Sequence, residues 1–270
     1  MRISKQRGSA RLHVCSRGKM RYLAMNYRPQ HFATIALLSL LSAPVMAETL
    51  PEFRPALLGS FSRSLINTID TQSLMKRGQG DAVLMFTAGI SALGYGNVWE
   101  TYRGTPNSEL LAREVMNRSV RAQFEPAVYK HLHVGVIVTG TVSFSVVAGK
   151  PHLRIFLNQE ESDLKQGKDF IAPQLAFATG NPKFEGIWYP GHVLTGPGVA
   201  AVTLDVDANG KVQNAILAYE HPAGKGFGAE AVDGLRKAVF IPGFRNGKAV
   251  PCRFTFPIIF SGTSRAPRTG

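Results

Sequence analysis

Asp205-Val-Asp-Ala-Asn-Gly210 sets side-chain oxygens at alternate positions ahead of a glycine, as the start of a calcium loop does. Such a loop needs a bidentate Glu at its twelfth position, and Ile216 stands there, so the pattern reads as a hairpin turn. Ser73-Leu-Met-Lys76 spaces a hydroxyl and an amine as a serine acyl-enzyme would. The companion Ser-Asp-Asn and Lys-Thr-Gly motifs are absent from the chain, which makes the match a chance one. Gly224-Lys-Gly-Phe-Gly228 precedes an expected helix, where backbone N–H groups can hold an anion. Its glycine spacing is not that of a dinucleotide site, and it reads as a loop. His131 and His133 would share a face in a strand, but two imidazoles without a third ligand do not make a metal site. Trp99 and Trp188 read as packing residues. Of two cysteines, Cys15 lies in the basic N-terminal stretch, and Cys252 reads as a buried free thiol. No catalytic residue, metal ligand or cofactor motif emerges, so the chain reads as a non-enzyme.

The formal charge of +13 suggests an acidic partner, but the charge is concentrated at one end. Residues 1–28 hold eight Lys or Arg and no Asp or Glu, and residues 29–47 carry no charge. Beyond residue 47 there remain 23 basic and 18 acidic residues, a net of +5, without the basic patch that nucleic-acid binding needs. Phe32–Ala47 has the short apolar run and small terminal residues of a secretory signal. It falls short of the roughly 20 residues of a spanning helix. Cleavage would leave a periplasmic protein, and retention would leave one anchored in the inner membrane and facing the periplasm. Met25 is a more ordinary signal-peptide start than Met1.

The elements that position these residues are legible from periodicity. Phe61, Leu65, Ile66 and Ile69 predict a helix over 61–74. Ala82–Ala88 and Tyr95–Tyr102 predict strands, joined by a longer and irregular connection over Gly89–Gly96. Leu111, Val115, Ser119 and Ala122 share one face of a helix that Pro126 ends. Alternation over Val134–Val146 predicts a half-buried strand that returns through Ala148-Gly149 into Leu153–Leu157. Residues 158–183 read as a linker.

The second half repeats the plan. Ala200–Val206 and Val212–Tyr219 predict a hairpin, with Asn209-Gly210 as a two-residue turn at positive φ. Phe227, Ala231, Leu235 and Ala238 predict a helix face, and Val250 to Phe260 an alternating strand. Arg121–Phe144 lies over Lys237–Phe260 without a gap, with six identities including Phe124/Phe240, Pro126/Pro242 and Phe144/Phe260. This predicts a diverged internal duplication.

Tyr189-Pro190, Asp207-Ala-Asn-Gly-Lys-Val212, Lys237-Ala-Val-Phe-Ile-Pro242 and Asn246-Gly-Lys-Ala-Val250 together resemble the C-terminal domain of TonB-type energy transducers over residues 189–260. A diverged second copy is expected at about 78–146. The resemblance implies an α+β fold of two TonB-C-like modules, each strand-strand-helix-strand with a small antiparallel sheet on a helix. The expected boundaries are 1–47 for the extension and signal, 61–157 and 184–262 for the modules. It also implies a protein-interaction role with an envelope or outer-membrane partner, no nucleic acid, and no membrane contact unless the N-terminal segment is uncleaved. In that family the last strand can pair with an extended segment of a partner. Here Arg253, Thr255 and Pro257 would lie on its more exposed face, unless the sister copy covers the strand. Transducers of this kind carry a Pro-rich spacer, whereas Glu48–Pro55 holds only Pro51 and Pro55. The alternative role is a membrane-tethered transducer supporting outer-membrane transport.

Overall fold

The computed structural model describes residues 49–177 and 196–260, with isolated positions between them (179, 181, 184, 186, 187 and 190). The signal-like run Phe32–Ala47, Cys15, Trp188 and Tyr189 lie outside the described residues.

The chain is α+β, with sheets that are antiparallel throughout the described strand pairs. The first half runs β1 (Phe53–Arg54), α1 (Leu65–Thr68), α2 (Thr71–Lys76), β2 (Ala82–Ile90), β3 (Gly96–Gly104), α3 (Glu109–Ser119), β4 (Ala127–Tyr129), β5 (Leu132–Val147) and β6 (Lys150–Leu157). Next come α4 (Glu161–Lys165), β7 (Phe170–Ile171) and β8 (Gln174–Phe177). The second half runs β9 (Gly198–Val206), β10 (Val212–His221), α5 (Phe227–Lys237), β11 (Val239–Ile241), β12 (Gly243–Arg245), β13 (Lys248–Val250) and β14 (Cys252–Phe260).

The period-2 strands form because one face is apolar and buried. In β5, Val134, Val136, Val138, Val142 and Phe144 are buried while Ile137, Thr139, Thr141 and Ser143 between them are more exposed. The helix α5 buries Phe227, Ala231 and Leu235, spaced by one turn, against its sheet. Its last turn carries Arg236 and Lys237, where cations suit the helix dipole. Two clusters of buried side chains result. One centres on Phe86, Phe144, Leu111 and Val136. The other centres on Phe240, Phe256, Phe227 and Leu204 and also takes in Leu175 of β8. Phe240 meets Phe254 and Phe256 edge-on, with ring centroids 5.7 and 5.8 Å away.

A shift of 116 residues carries one half onto the other in hydrogen-bond register. Ala82 pairs with Phe144 and Ile90 with Val136. Gly198 pairs with Phe260 and Val206 with Cys252. Ala127 pairs with Val134, as Gly243 pairs with Val250. The Phe124 N–H donates to Gly94 O at 2.8 Å, and the Phe240 N–H to Gly210 O at 2.9 Å. The two-residue turns Lys130-His131 and Asn246-Gly247 both hold positive φ at each position.

Five expectations change. The helix over 61–74 is two short helices. Ile69 is extended after α1, and Asp70 restarts the chain by accepting the Ser73 N–H at 2.9 Å. The turn at Asn209-Gly210 is a longer one, in which only Gly210 takes positive φ. Gly210 N–H donates to Asp207 O, and Asp207 N–H to Lys211 O, the pattern of a turn closed by a glycine bulge. Its side chain explains the choice: Asp207 Oδ1 accepts the Asn209 and Lys211 N–H groups, which a two-residue turn would not offer it. The Ser91–Tyr95 connection is of the same length and carries the same two backbone bonds, so it is not longer or irregular.

Residues read as a linker are built into the sheets. β7 pairs with β12, and β8 pairs with β5 on one side and β11 on the other. The fully buried Gln174 side chain accepts the Ala56 N–H at 2.7 Å and donates to Ala56 O at 3.0 Å. The first half also reaches back before residue 61, since Leu57 pairs with Glu125.

Candidate protein-interaction site

The strand β14 forms because Phe254, Phe256, Ile258 and Phe260 take alternate positions and turn one face to the second core. It stands third in a sheet ordered β10-β9-β14 and pairs with β9 alone among the described strands. Among the described strands its other edge carries no partner strand, the arrangement in which backbone N–H and C=O groups can take an added strand.

Two clefts run along that edge. Consecutive strand residues point to opposite faces, so a cleft that touches four in a row lies at the edge rather than on a face. The larger, about 670 Å³, is lined by Phe256, Pro257, Ile258 and Ile259. Facing them are Ile137 of β5, Leu175 and Phe177 of β8, and Phe184 and Ile187. The smaller, about 330 Å³, is lined by Phe254 to Pro257 and, opposite, by Thr139-Gly140-Thr141, Tyr102, Asn158, Glu160 and Asp163. Burial, then the nearby Glu160 carboxylate, pushes the Tyr102 phenol up, against the pull of Arg103. Asn158 Oδ1 is buried without a hydrogen-bond partner. The larger cleft is thus mostly apolar, with Glu100 on its wall, and the smaller mixes Tyr102, Asn158, Glu160 and Asp163 with Phe156 and Phe170.

The three residues singled out from sequence divide. Arg253 and Thr255 lie on the solvent-facing side and are engaged with their own sheet. Arg253 donates from Nε and Nη2 to the two carboxylate oxygens of Asp205, at 2.6 and 2.8 Å. That bidentate bond holds the Asp205 carboxyl below the usual range and raises the Arg253 guanidinium. The Thr255 hydroxyl stands 3.2 Å from that of Thr203. Thr255 and Pro257 line the clefts, whereas Arg253 does not. The cleft walls Ile137, Leu175, Phe177 and Tyr102 were not found from sequence. They lie far from β14 in the chain, and only the packing of one half on the other brings them to it.

The polar groups of the remaining motifs are engaged within the fold. Asp207 spends its carboxylate on Asn209, Lys211 and Gln213, and Asp205 on Arg253 and Asn214. The Gly224–Gly228 loop gives its N–H groups to Glu220, whose Oε1 accepts from Lys225 at 3.1 Å and Phe227 at 3.0 Å. An internal carboxylate therefore sits where an anion would. His131 lies in a turn at positive φ while His133 lies in β5, so they do not share a strand face, and His131 Nδ1 is 2.8 Å from Leu50 O. Among the described residues no group of acidic, His or Cys side chains could hold a metal.

Residues 197–261 match the family model described as Gram-negative bacterial TonB protein C-terminal. The match spans β9 to β14, about a quarter of the chain, and that segment is what resembles this domain family. No curated protein and no solved structure matches the chain.

Proposed function

We propose that the chain is a non-catalytic periplasmic interaction protein, built of two TonB-C-like modules, whose β14 edge takes an extended segment of an envelope partner. The observation that carries this is the one-sided pairing of β14, the last strand of the family-matched segment. Main-chain bonds along an open edge give affinity, and the flanking clefts select side chains. The two-module reading is supported by the shared register 116 residues apart. The non-catalytic reading is supported by the sequence motifs, whose Asp205, Asp207 and Glu220 carboxylates are taken up by internal hydrogen bonds. Ser73 and Lys76 sit on a short helix with Lys76 exposed, away from any cleft described.

The test is a titration of the labelled protein with extended peptides from outer-membrane receptors. Amide shifts over residues 252–260 are the expected result, and their absence across such peptides sinks the strand-addition idea. A second reading keeps Phe32–Ala47 as a membrane anchor and makes the chain a tethered transducer. Sequencing the N-terminus of the mature protein decides it. A start at Glu48 excludes the tether, and an intact apolar segment excludes the soluble form.

A further inference from the structure

We infer that the smaller cleft, about 330 Å³, binds a small primary amine, with its ammonium toward Asn158, Glu160 and Asp163 and its apolar stem toward Met85 and Phe156. This site goes beyond strand addition at β14 and does not rest on it. The cleft lies between equivalent segments of the two halves. Thr139-Gly140-Thr141 of β5 and Thr255-Phe256-Pro257 of β14, related by the shift of 116 residues, line it together. Its charge comes from one side only. Tyr102, Asn158, Glu160 and Asp163 all lie outside residues 197–261, so the site is not a feature of the family-matched segment.

Asn158 carries the argument. It lines the cleft and is only 8% exposed. Its N–H donates to Thr139 O at 2.9 Å, and its C=O accepts the Ala172 N–H at 2.7 Å. Its Nδ2 donates to Pro173 O at 3.3 Å, which fixes the amide, because the flipped group would set two oxygens against each other. Oδ1 alone is left, buried and without a partner. An unbonded buried acceptor is costly, and a donor entering the cleft removes that cost.

The chemistry of the walls selects the donor. Glu160 and Asp163 line the cleft, and no Lys, Arg or His does. Lys168 Nζ stands 3.7 Å from Asp163 Oδ1, a loose surface contact, and Glu160 makes no ion pair among the described residues. The Glu160 carboxylate is close enough to add to the rise of the Tyr102 phenol, so the two groups share the cleft. The ligand is therefore cationic. Among the described residues no group of three acidic, His or Cys side chains stands ready for a metal, which leaves an organic cation. Met85, Phe156 and Phe256 give its stem an apolar bed, and aromatic faces favour a cation. A quaternary ammonium would suit the rings and the charge, but it has no N–H for Asn158 Oδ1. A primary ammonium has three. The volume stands at the lower end for ligand pockets, so the amine is small.

The probe is phenethylamine, added to the full-length labelled protein beside its trimethylammonium analogue and phenethyl alcohol. The amine is expected to shift the amides of Gly140, Thr141 and Asn158. The trimethylammonium compound should bind at least about fivefold more weakly, because it cannot donate. Glu160 is exposed, so Glu160→Gln spares the core. That variant should weaken the amine about threefold and leave the alcohol unchanged. Equal binding of all three compounds would make the cleft merely apolar, and tighter binding of the trimethylammonium compound would make it an aromatic cage; either overturns the inference. Silence from all three leaves water as the occupant and overturns it too. None of these outcomes bears on strand addition, which is read from peptides on residues 252–260.

Discussion

Replacing Gly210 by Ala tests the device that joins hairpin to helix exit in each half. Gly210 sits at φ +80°, where an L side chain is strained by about 1 kcal/mol or more. An added Cβ would also collide with the Phe240 carbonyl oxygen. That carbonyl cannot yield freely, because Phe240 is fully buried and its N–H donates to Gly210 O at 2.9 Å. Relieving the clash costs about 1 kcal/mol of overpacking and the bond about 1 kcal/mol more. The sum is about 3 kcal/mol. Gly149 provides the control: its φ is +72° but nothing lies within 4 Å of where a methyl would stand, so only the backbone strain of about 1 kcal/mol applies. Gly94 stands against the Phe124 carbonyl as Gly210 does against Phe240, and its Ala variant is expected to cost about as much as Gly210→Ala. Urea unfolding of the three Ala variants measures this. A Gly210→Ala variant no less stable than Gly149→Ala would refute the reasoning.

Three further outcomes follow from other parts of the molecule. Partial desolvation alone would raise the Asp207 carboxyl, but the Lys211 and Asn209 N–H groups and the Gln213 amide outweigh it and hold it below its ordinary value. A depressed carboxylate contributes stability above its unfolded pKa of about 3.9 and loses it as pH falls through the lower folded value. Acid titration of unfolding should therefore show a loss of stability below about pH 4 that Asp207→Asn blunts, and identical profiles would remove Asp207 as its source. Burial pushes the Cys252 thiol up, against the Gly243 N–H and Arg245, so maleimide labelling near neutral pH should be slow when folded and fast in urea. Equal rates would contradict its placement. Gln174→Ala leaves both Ala56 backbone groups unbonded in a buried site, an expected loss of about 2 kcal/mol by thermal or urea unfolding. A loss under about 0.5 kcal/mol would show those bonds to be replaceable.

Strong periodicity made most elements readable. The alternation of Val134 to Phe144 and of Cys252 to Phe260 locates β5 and β14, because a half-buried strand needs its apolar side chains every second residue. The interval before Ala82 is harder to read. An apolar spacing near 3.6 runs through Phe61–Leu74, yet Asp70 satisfies its own local backbone and splits the helix. Turn chemistry misleads at Asn209-Gly210 for a related reason. The pair suits a two-residue hairpin, but the Asp207 carboxylate collects donors that only the wider turn presents. Residues 158–177 lack a long period, and their two-to-four-residue strands are stabilised only by partners distant in sequence.

By itself the sequence determines the long strands, the main helices and the resemblance of residues 189–260 to the TonB C-terminal domain, because these depend on local pattern and turn residues. The recurrence near Phe124 and Phe240 is visible in it too. The open edge of β14 and the two clefts beside it are decided only in the folded chain. Edge or centre is a matter of which strand arrives alongside, and β6 and β8 arrive beside β5 but not beside β14. The same alternating sequence pattern thus lies between strands in one half and, among the described strands, beside a single partner strand in the other, because backbone pairing is a tertiary contact with no residue code of its own.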